Sequence, residues 1–370
     1  MIFNLFYFFI YGGLFLLEKL FVTDCEGPLS LNDNAYELAK EFIPEGDEFF
    51  RILSLFDDYL VDVVKKEDYN PGNTLKLIVP FFKVYGLTIE DILNFSKENV
   101  FFVDGAINTM NLAKRSMDSF IVSTSYGQYI EAVCDNLDFP FENTYYTSLE
   151  SYDSFESSDT EIEKLLELKE IISQIAKNEK EGSTLDVDKL NEIFFEEIPK
   201  MNIAKLVDSV VCVGGAGKQI AVEDILAKHN LEKKGLMYVG DSHTDVEPLR
   251  FAKKNGGLAV SFNGNETSVK EAEIAIISEN TIATSLLIDI HSRFNKEYLL
   301  EFVKAYCDNV KRAFEGFRLN FPVIDEFNEI FKDKELPIIK IITNDNIEEL
   351  TEKSIEMRKK VRGASIGSLG

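Results

Sequence analysis

The sequence is poor in the residues that build disulfide frameworks and zinc sites. Its 370 residues include three histidines and four cysteines, Cys25, Cys134, Cys212 and Cys307, which lie far apart and form no C-x-x-C pair. This scarcity argues against both kinds of site. We therefore expect reduced, mostly buried cysteines in a cytoplasmic protein.

Positive charge is also scarce. The chain has 39 basic and 64 acidic residues, a net charge of −25. Such a surface repels nucleic acid and anionic lipid, so neither is expected as a partner. Tryptophan is absent, but 30 phenylalanines and a hydrophobic fraction of 45% are enough for a sizeable core. The length is too great for one minimal core and predicts a main domain plus an insertion or a second domain.

The first 17 residues contain no charged side chain at all. A signal peptide would need a basic start and a small-residue cleavage site. A spanning helix would need about 20 apolar residues. Three interpretations stay open: a start assigned too early, with the natural chain beginning near Leu17; a membrane-associating helix, which would add membrane association to a cytoplasmic location; or a buried extra helix. In each case the domain begins at about Glu18.

What the sequence does contain is a series of short apolar strands that alternate with helices. The segments at 20–23, 119–122 and 236–239 are followed by "GLAVSF" and "EIAIIS". Short apolar strands that alternate with helices are typical of a parallel sheet covered on both faces. The fold class predicted is α/β, with a Rossmann-like parallel sheet.

Helical segments interrupt this alternation and suggest a division of the chain. The predicted core comprises residues 18–30, 101–145 and 206–290. Residues 31–100 are predicted as a helical cap insertion, and residues 146–205 as a second, acidic and solvated helical insertion. Residues 291–370 form a C-terminal extension that is predicted to be helical, with a candidate strand at "PIIKIIT".

Polar side chains collect where the predicted strands end. Ligands bind at the carboxyl ends of parallel strands. Four carboxylates at one crevice would repel each other and raise their pKa values, unless a divalent cation and a lysine lie among them. Mg²⁺ prefers one or two carboxylates, water and phosphate oxygens. The sequence therefore predicts a phosphate and magnesium site. The residues concerned are Asp24, Glu26, Ser123, Thr124, Lys218, Asp241 and Asp245.

The order of these residues along the chain resembles the motif order of a known family. "DCEG", a strand that ends in Ser123, a lysine at a helix start and "GDSHTD" follow one another along the chain. In this order they resemble the four motifs of the haloacid dehalogenase (HAD) superfamily of phosphohydrolases, and most closely its phosphoserine-phosphatase-like branch. The resemblance covers about 18–30, 100–145 and 210–290. It implies a HAD core with cap insertions and a Mg²⁺-dependent phosphatase acting on a small phosphorylated metabolite.

The resemblance also implies roles for individual residues. Asp24 would be the nucleophile that forms an aspartyl-phosphate, and Glu26 would be the general acid and base. Ser123 would donate a hydrogen bond to a phosphoryl oxygen. Thr124 is a further candidate for phosphate binding, although a plain strand-end hydroxyl explains it equally well.

The cationic and metal-binding roles follow from the remaining motifs. Lys218 would neutralise charge between the nucleophile and the phosphate. Mg²⁺ would be held by Asp24, by the backbone carbonyl of Glu26 and by Asp241. Asp245 would brace either the metal or Lys218. His243, in the same "GDSHTD" loop, is predicted to be exposed, with substrate contact as the alternative.

Position 26 departs from the family pattern, which usually has aspartate there. Glutamate is one methylene longer and still carries a proton, but its reach differs. Asp-x-Glu-Gly also occurs in a relative of phosphoserine phosphatase that transfers phosphate to an alcohol. A phosphotransferase is therefore kept as an alternative to a phosphatase.

Over its whole length, and most clearly in the tail "MRKKVRGASIGSLG", the chain also resembles archaeal proteins named as subunit R of energy-converting hydrogenase A. This resemblance implies association with a membrane hydrogenase complex. A non-catalytic accessory protein is accordingly the second alternative. The chain offers no ligand set for an iron–sulfur cluster, and the intact motif residues favour the enzyme.

Overall fold

The computed structural model describes residues 18–368. The apolar segment 1–17, with the three interpretations given for it, lies outside the described residues. No helix within residues 18–368 has both the length and the apolar character needed to cross a membrane.

One seven-stranded sheet organises the described chain. The strand order is β3-β2-β1-β4-β5-β6-β7, and all neighbours are parallel except β6 and β7. The predicted α/β fold class is confirmed. The strands are β1 (Leu20–Thr23), β2 (Asp118–Tyr126), β3 (Thr144–Thr147), β4 (Leu236–Gly240), β5 (Leu258–Phe262), β6 (Ile274–Ile277) and β7 (Ile338–Ile341).

Each strand of the sheet centre has two buried faces. In β1, Phe21 packs into one apolar cluster, whereas Leu20 and Val22 pack into the cluster on the opposite face. Successive side chains of a strand point to opposite sides, so a strand covered on both sides is a continuous apolar run. This is why the strands were recognisable in the sequence without an alternating pattern.

Helices fill the connections. Between β1 and β2 lie α1 (Asn34–Phe42), α2 (Gly46–Asp58), α3 (Thr74–Leu77), α4 (Val79–Val84), α5 (Ile89–Glu98) and α6 (Ala106–Ser116). After β2 comes α7 (Gly127–Leu137). Between β3 and β4 lie α8 (Asp159–Lys180), α9 (Val187–Asn191), α10 (Ala204–Ser209) and α11 (Ala216–Lys228). The remaining helices are α12 (Val246–Lys254), α13 (Glu266–Glu271), α14 (Ile282–His291), α15 (Lys296–Asp308), α16 (Val310–Gly316), α17 (Phe321–Ile330) and α18 (Ile347–Arg362).

The two helical insertions share one hydrophobic core. Phe56 of the first insertion stacks on Phe194 of the second, with ring centroids 5.9 Å apart, and Leu168 and Ile172 of α8 are fully buried in the same cluster. The acidic stretch is therefore more than the solvated insertion predicted, because its apolar residues complete the core of the first insertion. Tyr126 lies in this cluster, and its hydroxyl donates to the backbone oxygen of Leu75.

The C-terminal extension is not purely helical, because it returns to the sheet. Strand β7 pairs antiparallel with β6, and α18 then packs beside β6 and α13. The four cysteines are free thiols; Cys25 and Cys134 are buried, but Cys307 is exposed, so the expectation of mostly buried cysteines holds for only half of them.

Candidate active site

The strand ends bring five of the seven predicted residues to the lining of one cavity: Asp24, Glu26, Ser123, Thr124 and Asp241. Asp24 follows β1, Ser123 lies in β2, and Asp241 follows β4 at the same edge of the sheet. The opposite wall belongs to the first helical insertion, including Phe50 and Leu75. The cavity therefore lies between the sheet and the helical insertion.

Lys218 joins two of the carboxylates. Its Nζ lies 2.7 Å from Oδ2 of Asp24 and 2.8 Å from Oδ1 of Asp245, and its side chain has no exposed surface. A buried ammonium group needs compensating negative charge. Lys218 is in the first turn of α11, and Gly215, just before this helix, has φ of +52°, a conformation that L side chains rarely adopt. This glycine shapes the turn that presents the lysine.

Both carboxylate oxygens of Asp245 accept hydrogen bonds from the protein. Oδ1 accepts hydrogen bonds from Lys218 and from the Tyr238 hydroxyl (2.7 Å), and Oδ2 accepts from the backbone N–H groups of Asp241 and Ser242, both at 3.0 Å. Lys218, through its charge and its hydrogen bond, is the main reason that the pKa of Asp245 stays below its usual range despite burial. Of the two roles expected for Asp245, these contacts favour the one that braces Lys218.

Asp241 differs from Asp245 because one of its oxygens has no hydrogen-bond partner. Oδ1 is buried and unpaired within the described part of the chain, and the residue is only 1% exposed. Oxygen atoms of Asp24, Asp241 and Asp245 lie within 4.8 Å of one another. A buried carboxylate oxygen without a donor costs free energy unless a cation completes it. The donor set thus fits a small divalent cation bound by oxygen.

Gly27 allows Asp241 to approach the loop after β1. A Cβ at position 27 would lie 2.0 Å from Oδ2 of Asp241, and the residue has φ of +100°. Any larger residue would displace the carboxylate and would also strain the backbone. The glycine of "DCEG" is therefore required by the close approach of two motifs.

Glu26 is held in place by the start of α1. Its Oε1 accepts a hydrogen bond of 2.8 Å from the backbone N–H of Asn34. Burial, with a contribution from the nearby carboxylate of Asp33, raises the pKa of Glu26 well above its usual range, and the Asn34 hydrogen bond and Arg362 oppose this only in part. The side chain is therefore suited to carry a proton at neutral pH.

Burial also raises the pKa of Asp24, to about 7, with the neighbouring Asp245 and Asp241 adding to the rise and Lys218 opposing it. The expectation from sequence was a low pKa maintained by Lys218 and Mg²⁺. The opposing effect of the lysine on the pKa of Asp24 is smaller than the effect of burial. An added cation would favour the charged form.

The hydroxyl groups of β2 form the remaining wall. Pairing of β2 with β3 is irregular between Val122 and Tyr126, and such irregularities re-aim side chains near sites. Ser123 is buried, and its Oγ donates to Ser125 Oγ at 3.1 Å. Thr124 Oγ1 is buried with no hydrogen-bond partner among residues 18–368, which is consistent with an anion that would accept from it.

The cavity wall opposite the sheet is acidic. Burial raises the pKa of both Asp57 and Asp58 to about 6. Asp57 accepts hydrogen bonds from the Tyr69 hydroxyl and the Gly72 N–H, whereas Asp58 lines the cavity beside His243.

The prediction of an exposed His243 is wrong. Its side chain is 14% exposed, and its Nε2 lies 3.5 Å from Oδ1 of Asp62 in the helical insertion. The helical insertion covers the loop that carries it.

Two functional candidates were missed in the sequence. Arg358 and Arg362, both on α18, line the cavity and contact Asp241. In the sequence they stand at the basic C-terminal end of a helix, where positive charge commonly complements the helix dipole. Only their spacing of four residues marked them as neighbours on one helix face.

Comparisons with known proteins give structural matches only. No protein-family model and no curated protein matches the chain. The structure of gene product AF1437 from Archaeoglobus fulgidus matches with a TM-score of 0.73 and 28% identity, covering 95% of this chain and 99% of that one. This chain is therefore similar in fold to AF1437 over nearly its full length, including the C-terminal extension.

Two further solved structures match more weakly. A phosphoserine phosphatase, solved as an analogue of its phospho-aspartyl intermediate, matches with a TM-score of 0.44 and 16% identity over 70% of this chain and 93% of its own. HAD family hydrolase t0658 from Salmonella enterica serovar Typhi has a TM-score of 0.44 and 11% identity over 70% of this chain and 67% of its own. None of the three structures is described as a hydrogenase subunit, so that association stays a prediction.

The positions of the four motifs in the sheet identify the type of fold. Four motifs lie in the expected order around the carboxyl ends of one parallel sheet, with the nucleophile candidate on a central strand, β1, and helical insertions above it. This is the arrangement that the resemblance to the HAD superfamily implies, and the fold is HAD-like.

Proposed function

We propose that this chain is a Mg²⁺-dependent phosphatase of the HAD type that acts on a small phosphorylated metabolite through an aspartyl-phosphate at Asp24. One observation carries the proposal. Asp24 and Asp245 share the buried Lys218, while Oδ1 of Asp241 lies beside them with no hydrogen-bond partner in the described part of the chain. A candidate nucleophile and an incomplete metal site thus line one cavity, and a fixed cation contacts the nucleophile.

The metal would be held by Asp24 and Oδ1 of Asp241, together with the backbone carbonyl of Glu26. When bound, it would neutralise developing negative charge on the phosphoryl oxygens. Asp245 would orient Lys218 rather than bind the ion, because both its oxygens already accept hydrogen bonds from the protein.

The protein side chains would divide the remaining work. Oδ1 of Asp24 accepts from the Cys25 N–H at 2.7 Å, which orients the carboxylate for attack on phosphorus. Lys218 would neutralise charge between Asp24 and the incoming phosphate. Ser123 and Thr124 would donate hydrogen bonds to phosphoryl oxygens that Lys218 does not reach.

Glu26 would act twice. Its Oε1 is held by Asn34, so Oε2 is the atom left to move the proton. Protonated Glu26 would first donate to the leaving oxygen. As a carboxylate it would then take a proton from the water, or from the alcohol in a phosphotransferase, that attacks the aspartyl-phosphate.

The test is a screen of phosphorylated metabolites with Mg²⁺, with and without a chelator, in wild type and Asp24→Asn. We expect turnover of at least one substrate that requires the metal and is lost in Asp24→Asn. Adding glycerol or another alcohol distinguishes the acceptors, because a phosphotransferase would form the phosphorylated alcohol. Full activity in Asp24→Asn would exclude this mechanism. Absence of turnover across the screen would favour the accessory-protein alternative.

A further inference from the structure

Helix α18 presents one face to two different parts of the molecule. Leu350 is buried in an apolar cluster with Val269 and Ile277, and Ser354 Oγ donates to the backbone oxygen of Gly264 at 2.7 Å. Arg358 and Arg362 follow at the same spacing of four residues, which places all four on one side of the helix. The first half of this face anchors the helix, and the second half delivers two guanidinium groups to the cavity.

Arg358 makes its contacts where a metal ion would be held. Its Nη1 donates to Oδ2 and, at 3.3 Å, to the backbone oxygen of Asp241, and its side chain is 4% exposed. Arg362 supports it from the next turn. Its Nε donates to the backbone oxygen of Leu31 at 3.2 Å, and its Nη1 lies 3.5 Å from Asp241 Oδ2.

These contacts conflict with a divalent cation. Asp241 is the carboxylate with the unpaired oxygen, so a metal bound there would lie close to the Arg358 guanidinium. Two cations a few ångströms apart repel strongly in a buried site, where water screens them little. Arg358 supplies positive charge to Asp241, as Lys218 does to Asp24 and Asp245.

We propose that Arg358 and the divalent cation compete for Asp241, so that the C-terminal helix sets the metal affinity of the site. The inference rests on the proposed function, which implies the metal. A ligand shifts such an equilibrium only by its different affinity for the two states. The metal would bind Oδ1 of Asp241 and Arg358 contacts Oδ2, so their mutual repulsion acts across one carboxylate. Metal binding therefore weakens the contact of Arg358 with Asp241, and the tip of α18 loosens as the metal enters.

The experiment measures Mg²⁺ binding to the full chain by titration calorimetry, without substrate. Removal of the competing charge in Arg358→Gln is expected to tighten Mg²⁺ binding by about 10-fold or more. Arg358→Lys keeps the charge and should remain near wild type. The matched control is Lys360→Gln, which removes one positive charge from the same helix at an exposed ion pair with Glu279 and should leave the affinity unchanged.

A different role for Arg358 gives the opposite result. If the arginine only positions Asp241 for the metal, Arg358→Gln weakens Mg²⁺ binding. Weaker or unchanged binding in Arg358→Gln, or no Mg²⁺ binding to either protein, overturns the proposal. Measurable binding in the variant alone supports it.

Hydrogen exchange on the wild type keeps the proposal testable if Arg358→Gln does not fold. Saturating Mg²⁺ should speed amide exchange at 354–362 and leave α15 unchanged as the internal reference. Slower or unchanged exchange at 354–362 overturns the proposal. Both readouts are independent of turnover, so loss of the proposed activity in the substrate screen and failure of this competition are separate results.

Discussion

The ammonium group of Lys218 lies 2.7 Å from Oδ2 of Asp24, and neither side chain is more than 7% exposed. This contact opposes the effect of burial, which raises the pKa of Asp24 to about 7. The lysine also binds Asp245, whose other hydrogen bonds come from Tyr238 of β4 and from the loop after this strand. The position of the nucleophile candidate thus depends on α11 and on the "GDSHTD" loop together.

Glu26→Gln should slow turnover of any substrate found by about 10²- to 10⁴-fold, the usual contribution of a positioned acid or base. With a donor whose leaving group needs no protonation, a hydroxylamine-labile phosphoenzyme should accumulate, because the second step then lacks its base. Quenched-flow trapping measures this species. Glu26→Asp, the residue usual in the family, should keep partial activity. Full activity in Glu26→Gln would assign the proton to another group, with His243 the first to test.

Asp241→Asn should weaken Mg²⁺ binding and any Mg²⁺-dependent activity, because an amide oxygen is a poorer ligand than a carboxylate. Binding to wild type should be weak and should tighten when a phosphate analogue is added, since the protein supplies few direct ligands. Calorimetry measures both. Asp58→Asn, on the opposite wall of the cavity, is the control that removes a carboxyl group without removing a ligand. Equal Mg²⁺ affinity in wild type and Asp241→Asn would place the metal elsewhere.

Gly27→Ala should destabilise the fold and weaken metal binding together, because the new Cβ would lie 2.0 Å from Asp241 Oδ2. Gly86 has φ of +78° with no atom near its missing Cβ, so Gly86→Ala isolates the cost of backbone strain, about 1 kcal/mol. We expect Gly27→Ala to cost about 3 kcal/mol or more. Urea unfolding measures the loss in free energy of unfolding for each variant. Equal losses would contradict the close approach of Gly27 to Asp241.

Stability should fall as pH rises from about 4.5 to 7, in part because of Glu37. Burial raises its pKa from 4.5 to about 7, although Asn32 donates to both its oxygens. In that range the folded chain keeps a proton that the unfolded chain releases, so folding is favoured at the lower pH and this advantage is lost as pH rises. Glu37→Gln should reduce the decline between pH 5 and pH 8 by about 1 kcal/mol.

Urea unfolding at the two pH values tests this, with Glu41→Gln, on the exposed side of the same helix, as the control. An unchanged decline in Glu37→Gln would show that other buried carboxyl groups, such as Asp57, produce it.

A chain beginning at Glu18 should fold, because β1 starts at Leu20 and the residues of the described core all lie at or after this position. Circular dichroism and gel filtration measure this. A chain beginning at Asp24 should not fold, since it lacks the strand that lies between β2 and β4. Aggregation of the chain from Glu18 would make residues 1–17 part of the core and would contradict an early-assigned start.

The motif residues could be predicted from the sequence because each follows a strong local signal. Asp24 and Asp241 come directly after fully buried strands, and parallel strands bring their carboxyl ends to one edge. Strand β3, with the sequence TYYT, was not identified, because it has four residues and an edge position in the sheet. Its identity depends on pairing with β2, a contact that local sequence does not encode.

Contacts between distant segments account for the rest. Arg358 lies 117 residues after Asp241, and nothing in the basic end of α18 specifies which carboxylate it contacts. The shared core of the two insertions has the same origin, since Phe56 and Phe194 meet only after both insertions have folded. His243 was mispredicted for this reason as well: whether a loop is exposed depends on what packs over it.

Strand β7 is the only described strand that runs against its neighbour, and its direction determines where α18 ends. Ile338 pairs with Ile277 and Ile341 pairs with Ile274. The chain therefore leaves β7 beside the amino-terminal end of β6, opposite the strand ends that form the cavity. The 16 residues of α18, about 24 Å of helix, then carry it back to the cavity. A parallel strand at this position would have sent the same helix away from Asp241, so the reversal of four residues determines whether the arginines reach the site.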